Sequence, residues 1–159
     1  DADDVVSRWE AIKREERAGQ RGSVLDGVPR SLPALHRAHR VQQKAARVGF
    51  DWPAWEGVLE KWKEEMEEFQ AARASGDADA AARELGDLLF TLVNLCRRME
   101  LFAEDLLHET TDRFAARFLA MEQCLEARGH APGACSAEEM ESAWEEAKQA
   151  EEREHAGRA

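Results

Sequence analysis

Trp55-Glu56-Gly57-Val58-Leu59-Glu60-Lys61-Trp62-Lys63-Glu64-Glu65-Met66-Glu67-Glu68-Phe69 and Arg83-Glu84-Leu85-Gly86-Asp87-Leu88-Leu89-Phe90-Thr91-Leu92-Val93-Asn94-Leu95-Cys96 are two helical stretches of one chain. Each carries carboxylates three residues apart, Glu65 with Glu68 and Glu84 with Asp87. A helix turns about 100° per residue, so such pairs share a face one turn apart. With Trp62 as origin, Trp55, Val58, Leu59, Met66 and Phe69 lie within roughly 60° of it, giving the first helix its apolar face. Glu65 falls about 60° from that axis and Glu68 about 120°, while Glu64 and Glu67 point further off. On the second helix the apolar row is Leu85, Leu88, Leu92, Cys96 and Met99, with Glu84 at its rim and Asp87 just beyond. Four carboxylates therefore edge two stripes that are expected to pack together.

Unpaired carboxylates on partly buried faces repel one another and lose hydration. A bound cation removes both costs. Oxygen-only ligation, with no His or Cys at ligand spacing beside it, suits a hard ion: Mg²⁺, with Mn²⁺ as a substitute. Such ions bridge phosphate oxygens, acidify water and stabilise charge building on phosphate. A lone acidic run is usually just the solvated face of an amphipathic helix. Two features oppose that reading here: the acids crowd the apolar edge, and a second pair with the same spacing sits on the next helix.

The 159 residues suffice for one domain with a core, and the absence of β alternation together with only 4 Pro predicts an all-α fold. A net charge of −11 argues against a nucleic-acid polymer as partner. A nucleotide is compatible, because a divalent ion reverses the local sign. Cys96, Cys124 and Cys135 form no C-x-x-C and are expected reduced, as in the cytoplasm. No run approaches the ~18 apolar residues of a membrane span, and no signal peptide is expected.

Along the chain, residues 4–17 read as a helix with Val5, Val6, Trp9 and Ile12 on one side and Asp3 or Asp4 as cap. A Gly-rich loop spans 19–30. The next helix is expected from near Ser31 to about Val48, with Pro33 in its first turn and Gly49 ending it. Asp51-Trp52-Pro53 is expected to turn into the first acidic helix, with Asp51 as cap. Ser75-Gly76-Asp77 separates the acidic helices, and Asp77 caps the second. A long helix then runs to Arg128 with a coiled-coil-like seam of Leu107, Thr111, Phe114, Phe118, Met121 and Leu125. Gly129 stops it, and Ser136-x-x-Glu139 is a capping box for a last helix. The expected organisation is an N-terminal helix and linker over 1–30, a helical domain over 31–150 and a charged tail over 151–159.

Other residues suit a phosphorylated ligand. Arg113 and Arg117 lie four apart, so both can reach one anion, or they are only a pair of surface arginines. Trp144 and Lys148 repeat that spacing; Trp144 either stacks on a base or belongs to the core. Asn94 sits two turns beyond Asp87 on the same face, placed to bond sugar or phosphate, or only a neighbouring backbone group. Gln42 and Lys44 are weaker candidates. Gly86 lies inside the acid motif despite its helix cost of about 1 kcal/mol, which suggests close approach of another helix or of a ligand.

Glu64-Glu65-x-x-Glu68, fifteen intervening residues and then Glu84-x-x-Asp87 resemble the motif of the all-α nucleoside triphosphate pyrophosphohydrolases. The phrases Trp9-Glu10-x-Ile12-Lys13, Leu25-Asp26-Gly27-Val28-Pro29-Arg30-Ser31-Leu32-Pro33-Ala34-Leu35, Val48-Gly49-Phe50-Asp51-Trp52 and Glu84-Leu85-Gly86-Asp87-Leu88-Leu89-Phe90 are similar to the C-terminal catalytic half of the MazG family. The likeness covers about residues 8–148. It implies a four-helix-bundle-like fold with an extra N-terminal helix, a homodimer, and a related repeat often preceding the first residue of this sequence. It also implies hydrolysis of nucleoside triphosphates to monophosphate and pyrophosphate. Glu65, Glu68, Glu84 and Asp87 would hold Mg²⁺, and Glu64, or Glu68 in its place, would orient or deprotonate water. Arg113, Arg117 and Lys148 would meet phosphate, the two arginines matching a Lys/Arg-Phe-x-x-Arg-Phe phrase of the family. Competing readings are a di-iron bundle, which wants Glu-x-x-His motifs this chain lacks, a non-catalytic helical interaction module, and a nucleotide-binding regulatory domain.

Overall fold

The computed structural model describes residues 22–130 and 134–156. The helix expected over 4–17 lies outside them. The described residues hold five helices and no strand: α1 (Ala34–Ala46), α2 (Trp55–Ser75), α3 (Ala78–Arg98), α4 (Ala103–Ala127) and α5 (Ala137–Ala156). The all-α expectation holds. The chain divides into two compact units that meet between Ala103 and Glu104.

In the first unit, α2 and α3 form an antiparallel pair joined by a tight turn, and α1 lies against α3. The turn is local chemistry. Gly76 takes the left-handed conformation (φ 78°) that ends α2, and Asp77 accepts the Ala80 N–H at 2.9 Å to start α3. Gln42 on α1 donates to the Phe90 carbonyl of α3 at 2.8 Å. Lys44 donates to the Asp26 and Val24 carbonyls, fastening the 22–33 loop onto α1. Both side chains therefore have structural partners in addition to any ligand.

Two expectations about helix starts are corrected. Pro33 is the residue before α1 rather than part of its first turn. Asp51 does not cap α2; Ala54 occupies that position with no side-chain bond. Instead the Asp51 carboxylate takes bonds from Arg97 at 2.5 and 3.1 Å and from Arg98 at 3.3 Å, which pins the α1–α2 loop to the end of α3. Burial pushes Asp51 up, but the arginines and the Trp52 N–H outweigh it and hold the carboxyl below its ordinary value.

The packed face of α3 also differs from expectation. Leu85, Leu92 and Met99, assigned to the apolar row, are 49, 41 and 54% exposed, whereas Ala81, Leu88, Val93, Thr91 and Asn94 are buried. On α2 the buried side chains are Val58 and Glu65, and Trp55 is exposed. The helices meet through a mixed row, which is tolerable where buried polar groups find partners. Glu65 consequently sits deeper than the helical wheel placed it. Gly86 has nothing within 4 Å of a would-be Cβ, so no other part of the described chain approaches it closely.

In the second unit, Met121 and Leu125 of α4 pack on Ala143 and Ala147 of α5, flanked by Met140, Trp144 and Cys124. The capping box forms as expected, with Ser136 Oγ accepting the Glu139 N–H at 3.2 Å and Glu139 accepting the Ser136 N–H at 2.8 Å. Of the predicted α4 seam only the last two residues, Met121 and Leu125, are buried. Leu107, Phe114 and Phe118 remain 55, 55 and 40% exposed. α5 continues past Glu151 to Ala156.

The two helical glycines separate backbone propensity from packing. A Cβ on Gly57 would lie 2.8 Å from Trp52 Cδ1, whereas one on Gly86 meets nothing. Gly86→Ala is expected to stabilise the chain by up to about 1 kcal/mol. Gly57→Ala is expected to destabilise it despite the same propensity gain. Denaturant midpoints measure both; equal stabilisation by the two substitutions would contradict the Trp52 packing.

Candidate metal centre

The α2–α3 pairing brings Glu65, Glu84 and Asp87 together, with one carboxylate oxygen of each within 4.8 Å of the others. Each acid owes its place to helical register. Glu65 follows Val58 by seven residues, two turns along the buried row of α2. Glu84 and Asp87 precede Thr91 and Asn94 on one side of α3.

The three differ in surroundings: Glu65 is only 7% exposed, Glu84 is half-buried and Asp87 is exposed. Desolvation raises the Glu84 pKa above its ordinary value, and the charges of Glu68, Glu65 and Asp87 raise it further. Glu68 is therefore electrostatically part of the group, although its oxygens are not in the close triad. Lys61, one turn before Glu65, reaches its carboxylate at 2.8 Å and that of Glu64 at 3.1 Å. Those two bonds raise the Lys61 pKa and make it the counter-ion of the cluster. Glu64 is 58% exposed on its side chain and stands outside the triad, within reach of the same Lys61.

The donor set fits a hard divalent cation. Three carboxylates converge from two rigid helices, one of them buried, and desolvation together with the neighbouring charges raises the Glu84 pKa. Asn94 is buried on the same side of α3, and its amide oxygen accepts from Arg97 at 2.6 Å.

The remaining predicted ligand contacts belong to the second unit. Arg117 is paired with Glu151 across α4 and α5. Arg113 donates to Thr110 at 3.3 Å, and Lys148 lies 3.8 Å from Glu145. The Trp144 ring sits 5.2 Å from that of Phe114, so its place at the α4–α5 contact agrees with the core alternative raised from the sequence.

Sequence reasoning missed three features of these units. Lys61 was detectable as an i, i+4 partner of Glu65. The pairing of Asp51 with Arg97 joins positions 46 residues apart and leaves no local trace. A second donor group, His130, Cys135 and Glu139, also falls within 4.8 Å. Its Glu139 is already engaged in the capping box and in a 3.5 Å pair with His130.

A model of the phosphoribosyl-ATP pyrophosphohydrolase family matches residues 34–114, which contain α1, α2, α3 and the whole acid cluster. The chain belongs to that family. Among curated proteins it is 42% identical over 151 residues to a nucleoside triphosphate pyrophosphohydrolase of Escherichia coli, covering 93% of this chain and 57% of that protein. It is 37% identical over 145 residues to the nucleoside triphosphate pyrophosphohydrolase/pyrophosphatase MazG of Thermotoga maritima, covering 91% and 56%. It is also 41% identical over 154 residues to the uncharacterized protein YabN of Bacillus subtilis, covering 96% and 32%. The chain thus spans little more than half the length of the first two. The resemblance to MazG read from the acid motif and its flanking phrases is upheld. No described helix is long and apolar enough to cross a membrane.

Glu84 gives the cluster a pH signature. A carboxyl whose folded pKa is raised adds stability when protonated, present below its ordinary 4.5 and lost as pH rises through the raised value. In EDTA, Glu84→Gln is therefore expected to raise the melting temperature at neutral pH and to flatten its rise on acidification towards pH 4.5. The same variant is expected to lose the Mg²⁺-induced increase in melting temperature. An unchanged metal response would remove Glu84 from the donor set.

Proposed function

We propose that this chain is a Mg²⁺-dependent nucleoside triphosphate pyrophosphohydrolase. It would cleave between the α and β phosphates, release the monophosphate and pyrophosphate, and clear unwanted nucleotides from the cytoplasmic pool. The observation that carries this reading is the convergence of Glu65, Glu84 and Asp87 from two helices onto one point. The relatives' printed names and the family match support it.

Glu65, Glu84 and Asp87 are assigned as the metal ligands, with Glu68 completing the set. Bound Mg²⁺, or Mn²⁺ in its place, supplies positive charge against the phosphates and acidifies water. Glu64, exposed and within reach of Lys61, orients the attacking water and takes its proton, a role Glu68 could share. Lys61 neutralises Glu65 while the cation is away. Asn94 bonds the nucleotide. Arg113, Arg117 and Lys148 neutralise phosphate charge, Arg117 exchanging Glu151 for a phosphate oxygen. Trp144, half-buried beside Phe114, is the residue assigned to stack on the base with the edge it leaves exposed.

A homodimer is part of the proposal. Leu85, Leu89 and Leu92 repeat at helical spacing on α3 and are 49, 53 and 41% exposed. A row of large apolar side chains left in water suits a second copy of the chain.

Glu65→Ala and Asp87→Ala are each expected to lower Mg²⁺-dependent pyrophosphate release by at least about a hundredfold while leaving the helical circular dichroism intact. Activity retained by either variant would defeat the ligand assignment.

A further inference from the structure

The acid cluster of α3 continues into a polar stripe. At about 100° per residue, Glu84, Asp87, Thr91, Asn94 and Arg98 fall within about 80° of one another. Towards the N-terminus the stripe ends at Ala80 and the Asp77 cap. Towards the C-terminus it reaches Asn94, about 10 Å beyond Asp87 along the axis. Along this face of α3, a nucleotide whose phosphates meet the acids finds its next polar partners in that direction, which brings its sugar near Asn94.

Asn94 is 4% exposed, and Arg97 determines how its amide is turned. A guanidinium only donates, so the 2.6 Å contact from Arg97 must be to the amide oxygen. That leaves the NH₂ group, a pure donor, as the end open to a ligand. Arg97 is held in turn: Asp51 accepts from both of its terminal nitrogens, and the Asp51 and Arg97 side chains are 17 and 12% exposed. Arg98 closes the arrangement, bonding Asp51 at 3.3 Å and the Pro53 carbonyl at 2.8 Å. None of these bonds reaches Glu65, Glu84 or Asp87.

We infer that Asp51 and Arg97 are positioning residues, which lock Asn94 with its NH₂ group aimed at an acceptor oxygen of the nucleotide's sugar. This rests on the nucleotide-binding reading above. It assigns to the Phe50-Asp51-Trp52 loop a role in substrate affinity, although the loop itself lies outside the acid cluster.

The test is a double-mutant cycle on Asn94 and Arg97, read as KM and kcat for pyrophosphate release and as the Kd of a non-hydrolysable triphosphate. Arg97→Met is expected to raise KM and Kd roughly tenfold in the parent chain, about the worth of one buried hydrogen bond, and less than about twofold in an Asn94→Ala background. Values of kcat should stay within about threefold throughout, since no reacting atom is touched. Asn94→Asp preserves the pairing with Arg97 but removes the donor, so it should match Asn94→Ala in KM while melting no lower than the parent. Arg97→Lys should recover part of the loss. A 2′,3′-dideoxy triphosphate should be discriminated against by the parent and not by Asn94→Ala.

Equal Arg97→Met penalties in both backgrounds, or a normal KM for Asn94→Asp, would overturn the inference. Coupling seen in Kd without turnover would instead overturn the hydrolase reading and keep the inference. No binding of triphosphate at all would overturn both.

Discussion

Carboxylate repulsion across the α2–α3 contact is the constraint on which the rest of the structure depends. Helix pairing normally buries apolar rows, yet here the pairing encloses Glu65 and draws Glu84 and Asp87 to within 4.8 Å of it. Such an arrangement is unfavourable by itself: desolvation first, and then the neighbouring carboxylates, push the Glu84 pKa up. Lys61 offsets part of the charge, with one ammonium facing two carboxylates. A divalent cation offsets more of it and gives the arrangement a use. The site is best understood as a charge imbalance held in place by two rigid helices.

The scaffold reflects that demand. The Gly76–Asp77 turn fixes the register between the acid pairs over a single short connection. At the far end of α3, Asp51 binds two arginines and ties the α1–α2 loop to the helix terminus, so both ends of the polar stripe are anchored. The most apolar row of α3 is meanwhile turned outward, at Leu85, Leu89 and Leu92. A monomer optimised only for its own core would have reversed these faces. That inversion links the acidic interior of the pair to the proposed second copy outside.

What the sequence made legible was local. The Gly76–Asp77 break between α2 and α3, the Asp77 cap and the Ser136–Glu139 box follow from chemistry within three or four residues, and all are present. The acid pairs were legible because helical spacing converts directly into a shared face. The packed side of α3 was not. Hydrophobicity ranked Leu85 and Leu92 above Thr91 and Asn94, while the structure buries the latter two. Pairings at long range, such as Asp51 with Arg97, were invisible for a related reason: an aspartate before a helix looks like a cap until its distant partner is seen. Arg113, Arg117, Trp144 and Lys148 stand in the second unit, and their part in the site rests on their spacing and on family likeness.

The central claim is that Glu65, Glu84 and Asp87 exist to grip a divalent cation. Anomalous scattering from a crystal grown with Mn²⁺ and a non-hydrolysable nucleoside triphosphate tests it most directly. A manganese peak bonded to oxygens of all three residues and to the phosphate tail is the predicted result. Manganese bound elsewhere, with the three carboxylates turned into solvent, would contradict the account.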